Sequence, residues 1–212
     1  MYPEKGTSAG GKKMKKKYST TQVLVGTAVL AALVVVLQTV GSGIKIGPFS
    51  PTLSLVPIII GAVIFGPNIG GVLGFVFSMV VLISVLAGTE VGGATMFSLN
   101  PVATVLIILI KGTLAGYLSG FVAAKLTNKN TTLGVAASAV AAPVCNTGIF
   151  CIGALIFFYD LIQGWGMQAG YDNAFAYILL ALIGLNFLVE LAIDIVLVPV
   201  IVRIINAVRR TV

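Results

Sequence analysis

Histidine is absent from this 212-residue sequence, and only six residues are acidic and two are cysteine. The cysteines, Cys145 and Cys151, lie six positions apart on one predicted helix and point in different directions, so we expect no disulfide framework. Without histidine or clustered Asp and Cys residues, the sequence predicts no metal site. It also lacks a serine nucleophile elbow, so we predict no enzyme activity and no cofactor.

Charge is scarce as well. Hydrophobic residues make up 58% of the chain and charged residues only 9%, a combination that is untypical of soluble domains. Several apolar runs reach the roughly 20 residues that a helix needs to cross about 30 Å of hydrocarbon. The alternation of apolar and polar residues that marks a membrane β-barrel is absent. The sequence therefore predicts an all-α integral membrane protein.

Glycine, proline and asparagine divide the apolar sequence into six predicted transmembrane helices. These helices cover residues 21–40, 52–66, 68–87, 101–125, 132–159 and 174–203. The second is short for a full crossing, so the second and third are also compatible with a kinked hairpin.

Basic residues give the predicted orientation. Eleven of the 13 Lys and Arg residues fall on one side of the six-helix topology, and the opposite loops hold only Lys45. Because short cytoplasmic loops collect basic residues, we predict a multi-pass membrane protein with both termini in the cytosol. The predicted parts are a basic tail (1–20), a six-helix membrane domain (21–207) and a basic end (208–212). The tail adjoins a membrane helix, so its predicted partner is anionic lipid and not nucleic acid.

Small residues recur at every fourth position on two predicted helices, where they let helix backbones approach closely. The tracks are Gly70, Gly74 and Ser78 on the third helix, and Gly112, Gly116, Gly120 and Ala124 on the fourth. We expect both to pack inside the bundle. A shorter track on the first helix, Ala28 and Ala32, is compatible with packing or with docking of a partner protein.

Polar side chains at membrane depth are costly, so they are expected to face the bundle interior. They are Lys111, Asn146, Asn186, Glu190 and Asp194. A rise of 1.5 Å per residue puts Lys111 about 15 Å from the start of its helix, near the bilayer centre, and Asn146 at a similar depth. Asn186, Glu190 and Asp194 share a face because they repeat at spacing four. We expect Lys111, Asn146, Asn186 and Glu190 to meet at one level.

Further candidates lie nearer the predicted outer surface. At about 100° per residue, Asn100 and Thr104 fall within about 40° of Lys111, although Asn100 before Pro101 is also a helix-capping pattern. Phe49, Phe97 and Trp165 lie in the predicted outer loops, where aromatic residues serve as ligand contacts or as interfacial anchors.

Two interpretations of the buried polar residues remain open. In the first, Lys111 pairs with Glu190 and the asparagines satisfy that pair in a structural network. In the second, amides and hydroxyls hydrogen-bond a polar solute and Lys111 meets its carboxylate.

The phrases FSPTLSLVPIIIGAVIFGP, LNPVATVLIILIKGTLAG, PVCNTG and GLNFLVELAIDIVLVPVIVRII follow one another along the chain. In this order they resemble the substrate-binding S components of energy-coupling factor (ECF) vitamin transporters, over about residues 21–207. Within that family the chain is most similar to the pantothenate-type members.

The resemblance implies a six-helix protein that captures a small vitamin outside the cell with high affinity. It implies as partners a transmembrane coupling protein and two cytosolic ATPase subunits, and toppling in the membrane to release the vitamin. Ala28 and Ala32 match the family's docking motif. The chain has no Gly-rich nucleotide-binding loop, so ATP hydrolysis would belong to the partners.

Alternatives to pantothenate uptake remain. Riboflavin, biotin and pyridoxine are other vitamins that an S component would carry. A different class is a self-sufficient, proton-coupled transporter of a small organic acid, in which Glu190 and Asp194 relay protons. Six spans without a clear inverted repeat count against that class.

Overall fold

The computed structural model describes residues 18–43, 52–127 and 130–211, with only the backbone described at 182–186 and 209–211. Helices make up most of these ranges, and no strand occurs within them. The predicted all-α class is therefore confirmed for the described chain. Phe49 and most of the basic tail lie outside the described residues.

The helices of the described chain differ widely in length. They are α1 (Thr20–Gly41), α2 (Leu55–Phe65), α3 (Pro67–Leu86), α4 (Val91–Leu99), α5 (Pro101–Leu126), α6 (Thr131–Phe157), α7 (Tyr159–Gln168), α8 (Ala174–Tyr177) and α9 (Leu188–Thr211). Between α8 and α9, Ile178–Phe187 winds as a wider π-helix. The first five predicted helices match α1, α2, α3, α5 and α6 to within a few residues. The helices α4 and α7 replace stretches that the sequence analysis assigned to loops.

Four of the described helices, α1, α3, α5 and α6, are long and apolar enough to cross a membrane. With 11 residues, α2 is shorter than a full crossing. The last predicted span is divided among α8, the π-helix and α9. Four apolar spans support a multi-pass membrane protein, while the count of six and the cytosolic position of both termini stay predictions.

Local sequence explains where the main helices begin. Ser19 and Gln22 form a reciprocal capping box at the start of α1, and the Asn130 side chain accepts hydrogen bonds at the start of α6. A single residue, Gly66, joins α2 to α3 with a φ of +97°. This φ favours glycine, and Pro67 then starts α3 at a position where its missing N–H is not needed.

Close backbone contact joins α3 to α5. A Cβ added to Gly74 would overlap the carbonyl oxygen of Gly112, and one added to Gly70 would overlap that of Gly116. Next to them, the Ser78 hydroxyl donates to the Ile108 carbonyl oxygen at 2.8 Å. The predicted packing role of these two tracks is confirmed.

The end of the second track is an exception, because Ala124 is exposed and its neighbour Ala123 is buried. A step of four residues turns the helix about 40° beyond a full circle. Three steps from Gly112 therefore rotate Ala124 about 120° away from the packed face.

The interior contains two apolar clusters. The first fills the space among α1, α2, α3, α5, α6 and α9, and the second lies around α5, α6, α7 and α8 and includes Met96 of α4. A hydroxyl hydrogen bond from Ser138 of α6 to the Ser119 carbonyl oxygen of α5, at 2.6 Å, ties two central helices together. In α1, Leu30, Val34 and Gln38 face inward, whereas Ala28 and Ala32 are exposed.

The α3–α5 contact predicts a large difference between two neighbouring glycines. Gly74→Ala should destabilise the fold by about 1–3 kcal/mol, because the new methyl group meets backbone that cannot move aside. Gly71→Ala is the matched control, since its Cβ would lie 3.5 Å from Tyr117 Cβ, an ordinary contact. Thermal unfolding of the purified proteins in detergent measures both, and equal midpoints would contradict the proposed packing constraint.

Candidate ligand-binding site

A cavity of about 840 Å³, counted with its open part, is lined by members of both apolar clusters. Gln38 near the end of α1, Thr52 before α2, Ser84 near the end of α3 and Thr104 near the start of α5 all contribute to the wall. The cavity therefore lies toward the end of the bundle that the charge pattern predicts to be outside.

Much of the wall is apolar. Helix α3 contributes Phe77, Val81 and Val85, while α5 contributes Ile107 and Ile108. Such a lining excludes water around a ligand and strengthens the few polar contacts that the ligand makes.

Lys111 is the cation of this cavity wall among the described residues. Its Nζ lies 5.1 Å from the centroid of the Phe150 ring, within cation–π range. Glu190 and Glu90 both act on it electrostatically. The prediction that Lys111 faces the bundle interior is thus confirmed by its position.

A second polar group surrounds Glu190. The Thr52 backbone N–H donates to Glu190 Oε1 at 2.7 Å, and Asn146 Nδ2 lies 3.5 Å from Thr52 Oγ1, which is long for a hydrogen bond. Asn146 and Glu190 are only 3% and 5% exposed. Asn146 Oδ1 and Glu190 Oε2 nevertheless have no hydrogen-bond partner among the described residues. A ligand carrying hydroxyl or amide N–H groups would satisfy both acceptors.

The structure also brings together the positions that the sequence analysis expected to meet, as far as they are described. Lys111, Asn146 and Glu190 share the cavity wall. Asn186 lies in the π-helix and its side chain is outside the description.

Below Glu190, α9 follows the predicted inward stripe. Asp194 is 2% exposed, and Val198, Ile201 and Ile205 continue the buried face. Asp194 Oδ2 has no hydrogen-bond partner among the described residues, and the Glu190 carboxyl group acts on Asp194 electrostatically. Asp194 is not part of the cavity wall.

Three predicted ligand contacts lie elsewhere in the fold. Phe97 packs against the first apolar cluster and Trp165 against the second. The Asn100 side chain accepts from the Ala103 N–H at 3.1 Å, so it caps α5. Thr104 does line the cavity, although its hydroxyl donates to the Asn100 carbonyl oxygen at 2.9 Å. The structure thus brings Thr104 to the cavity and leaves Phe97, Asn100 and Trp165 out of its wall.

Sequence reasoning missed several polar residues of the wall, notably Gln38 and Glu90. Gln38 Oε1 accepts from the Ser54 hydroxyl at 2.9 Å, so its amide nitrogen is the group that it can offer to a ligand. Glu90 is 8% exposed and precedes α4 in a stretch that was assigned to a loop. In the sequence, only Gln38 indicates a place in the cavity wall, because it is a polar residue near the end of an apolar helix.

Comparison with known proteins gives consistent results. Residues 22–202 match the family model "ECF transporter, substrate-specific component". The pantothenic acid transporter PanT of Lactococcus lactis subsp. cremoris (strain MG1363) is 30% identical over 200 residues, which are 88% of this chain and 94% of that protein.

The solved structure of ThiT from Listeria monocytogenes shares the fold, with a TM-score of 0.57 at 19% identity. The alignment covers 86% of this chain and 97% of ThiT. The family is one of membrane transport components that bind substrate, not of enzymes. By the extent of the family match and the relationship to PanT, this chain belongs to the substrate-specific components of ECF transporters.

Proposed function

We propose that this protein captures pantothenate outside a bacterial cell and delivers it through an ATP-driven ECF module in the plasma membrane. Membership of the family supports the substrate-binding role, and similarity to a protein named as a pantothenic acid transporter supports the ligand. The observation that carries the proposal is the cavity itself, in which a lysine lies in the same wall as buried acceptors that have no donor within the described part of the chain.

The chemistry of pantothenate fits this wall group by group. Its carboxylate suits the ammonium group of Lys111, in a site where exclusion of water strengthens the attraction. Its hydroxyls and amide N–H would donate to Asn146 Oδ1 and Glu190 Oε2, and its amide carbonyl would accept from Gln38. The gem-dimethyl group fits the apolar wall formed by Phe77 and Val81. Each polar group of the ligand thus has a partner of opposite hydrogen-bonding character.

Removal of the lysine charge should weaken pantothenate binding. We expect Lys111→Met to raise the Kd by about tenfold to a hundredfold, since charge-assisted hydrogen bonds contribute about 1.5–3 kcal/mol. Lys125→Met is the matched control, because Lys125 lies at the other end of α5 with its Nζ 4.3 Å from the Phe121 ring centroid. Calorimetric titration gives the Kd, and thermal unfolding verifies the fold. Equal affinities of the two folded variants would exclude Lys111 as the carboxylate partner.

Substitution of Asn146 tests the contacts that we propose for the hydroxyl and amide groups of the ligand. Asn146→Leu keeps the approximate volume but removes the acceptor, so the Kd for pantothenate should rise about tenfold or more. Asn206→Leu on the exposed face of α9 makes the same chemical change away from the cavity and should leave the Kd unaltered. Riboflavin, biotin and pyridoxine serve as competitors in the same titration. If one of them binds more tightly than pantothenate, that vitamin is the ligand, and the proposed position of the site is unchanged.

Delivery requires partners, which we propose to be a transmembrane coupling protein and two cytosolic ATPase subunits. The docking face that we propose is the exposed side of α1 around Ala28 and Ala32, opposite the buried Leu30 and Val34. Small exposed residues on a membrane helix allow a partner helix to approach closely.

A large side chain on this face should block transport and leave pantothenate binding intact. Ala32→Trp should retain pantothenate binding and lose most uptake of labelled pantothenate by cells that express the whole transporter. Val140→Trp places the same bulk on an exposed position of α6 at a comparable distance from the helix start, and uptake should persist. Normal uptake by Ala32→Trp would remove this face from the docking proposal. Accumulation by the purified chain alone in liposomes would instead support a self-sufficient transporter.

A further inference from the structure

Lys111, which we assign to the ligand carboxylate, has a flexible side chain. Four carbon atoms separate its ammonium group from the backbone, and the bonds between them rotate. A lysine that is not held has to be ordered when the ligand binds, and this ordering lowers the affinity. Glu190 lies in the same wall, so its carboxyl group is an alternative partner for the ammonium group. Binding of a carboxylate therefore benefits from a group that holds Lys111 Nζ in the cavity and leaves its N–H groups available.

The aromatic ring of Phe150 lies where such a group is needed. Lys111 Nζ is placed over this ring, 5.1 Å from its centroid. The face of an aromatic ring attracts a cation within about 6 Å, most strongly where water is excluded. Because the ring face carries no oxygen acceptor, an arriving carboxylate does not have to displace an ion pair. Phe150 and Lys111 both line the cavity, so their contact lies at the proposed ligand site.

The fold holds the Phe150 ring in place. Phe150 packs against the second apolar cluster. A Cβ added to Gly153, three residues farther along α6, would overlap the side chain of Ile107 on α5. The two helices are therefore in close contact beside Phe150 and Lys111. Phe150 also follows Asn146 by one helical turn, and both residues line the cavity. The position of the ring is thus set by packing within the bundle.

We propose that Phe150 is a positioning residue, whose ring holds the ammonium group of Lys111 in the direction of the ligand carboxylate. This inference rests on the proposed function and adds a residue that makes the site selective for an acid over its neutral analogue. Phe150 acts on the ligand through Lys111. A ring that served only as apolar wall would instead stabilise every ligand of the same shape to the same extent. The two roles therefore differ in their effect on ligands that differ only in the carboxylate.

Calorimetric titration of the full-length protein with pantothenate and with pantothenol separates these roles. Pantothenol keeps the hydroxyls and the amide but has an alcohol in place of the carboxylate. Phe150→Leu removes the ring and keeps an apolar side chain. Its Kd for pantothenate should rise about threefold to tenfold, which corresponds to the cost of ordering one long side chain. Its Kd for pantothenol should stay the same.

The matched control is Phe121→Leu, which removes the ring beside Lys125 on α5. Lys125 Nζ lies 4.3 Å from the centroid of that ring, and Phe121 is not part of the cavity wall. This variant loses the same kind of contact away from the ligand, so it should keep both affinities.

Two further measurements show whether the effect of Phe150 passes through Lys111. In Lys111→Met the ring has no cation to hold, so addition of Phe150→Leu should not raise the Kd for pantothenate further. Incorporation of mono-, di- and trifluorophenylalanine at position 150 weakens the attraction of the ring face for a cation with little change of shape. The Kd for pantothenate should then rise stepwise with the number of fluorine atoms. Thermal unfolding verifies the fold of each variant.

Three results would overturn this inference and leave the proposed function standing. They are an unchanged Kd for pantothenate in folded Phe150→Leu, an equal loss of affinity for pantothenate and pantothenol, and a loss that persists in the Lys111→Met background. If pantothenol binds too weakly to titrate, the Lys111→Met background and the fluorinated series decide. Equal affinity of Lys111→Met and the unaltered protein would overturn the inference and the assignment of Lys111 to the carboxylate. Absence of pantothenate binding to the unaltered protein would overturn the proposed function as well.

Discussion

The close approach of α3 and α5 is the contact on which the site depends. Gly70 and Gly74 lie against the backbone of Gly116 and Gly112, so the two helices pack without intervening side chains. Small residues provide this contact in a membrane, where apolar burial between helices contributes little. Next to this contact, Phe77 of α3 and Lys111 of α5 line the same cavity. Bulkier residues at this contact would move apart the two walls of the cavity.

The polar part of the cavity contrasts with that contact. Protein interiors rarely leave buried polar atoms without partners, yet Asn146 Oδ1 and Glu190 Oε2 have none among the described residues. A stable apolar frame can tolerate such groups, and they are characteristic of sites where function and local stability conflict. The polar groups that are satisfied support this view, because Ser78 and Ser138 donate to carbonyl oxygens of α5 and strengthen helix packing.

Helix α1 combines two features in one rigid element. Near its end Gln38 lines the cavity and is oriented by the Ser54 hydroxyl. Two to three turns earlier, Ala28 and Ala32 are exposed on the side that we propose for docking. The helix thus has one face committed to the bundle and another available to a partner, although its sequence is apolar almost throughout.

The sequence by itself determined the all-α class, the main helices, the glycine contacts and the inward position of Lys111, Asn146 and Glu190. These features follow from hydropathy and from the 3.6-residue period, which act locally along one helix. Only the tertiary structure decided that Gln38, Thr52 and Glu90 join the cavity wall and that Phe97, Asn100 and Trp165 do not. Gln38 lies on a helix that is apolar almost throughout, so its hydropathy period does not single out one face, and side chains in short connecting segments have no helical period to orient them. Their direction depends on how α4 and α7 pack against neighbours distant in the chain, and that packing is a property of the whole bundle.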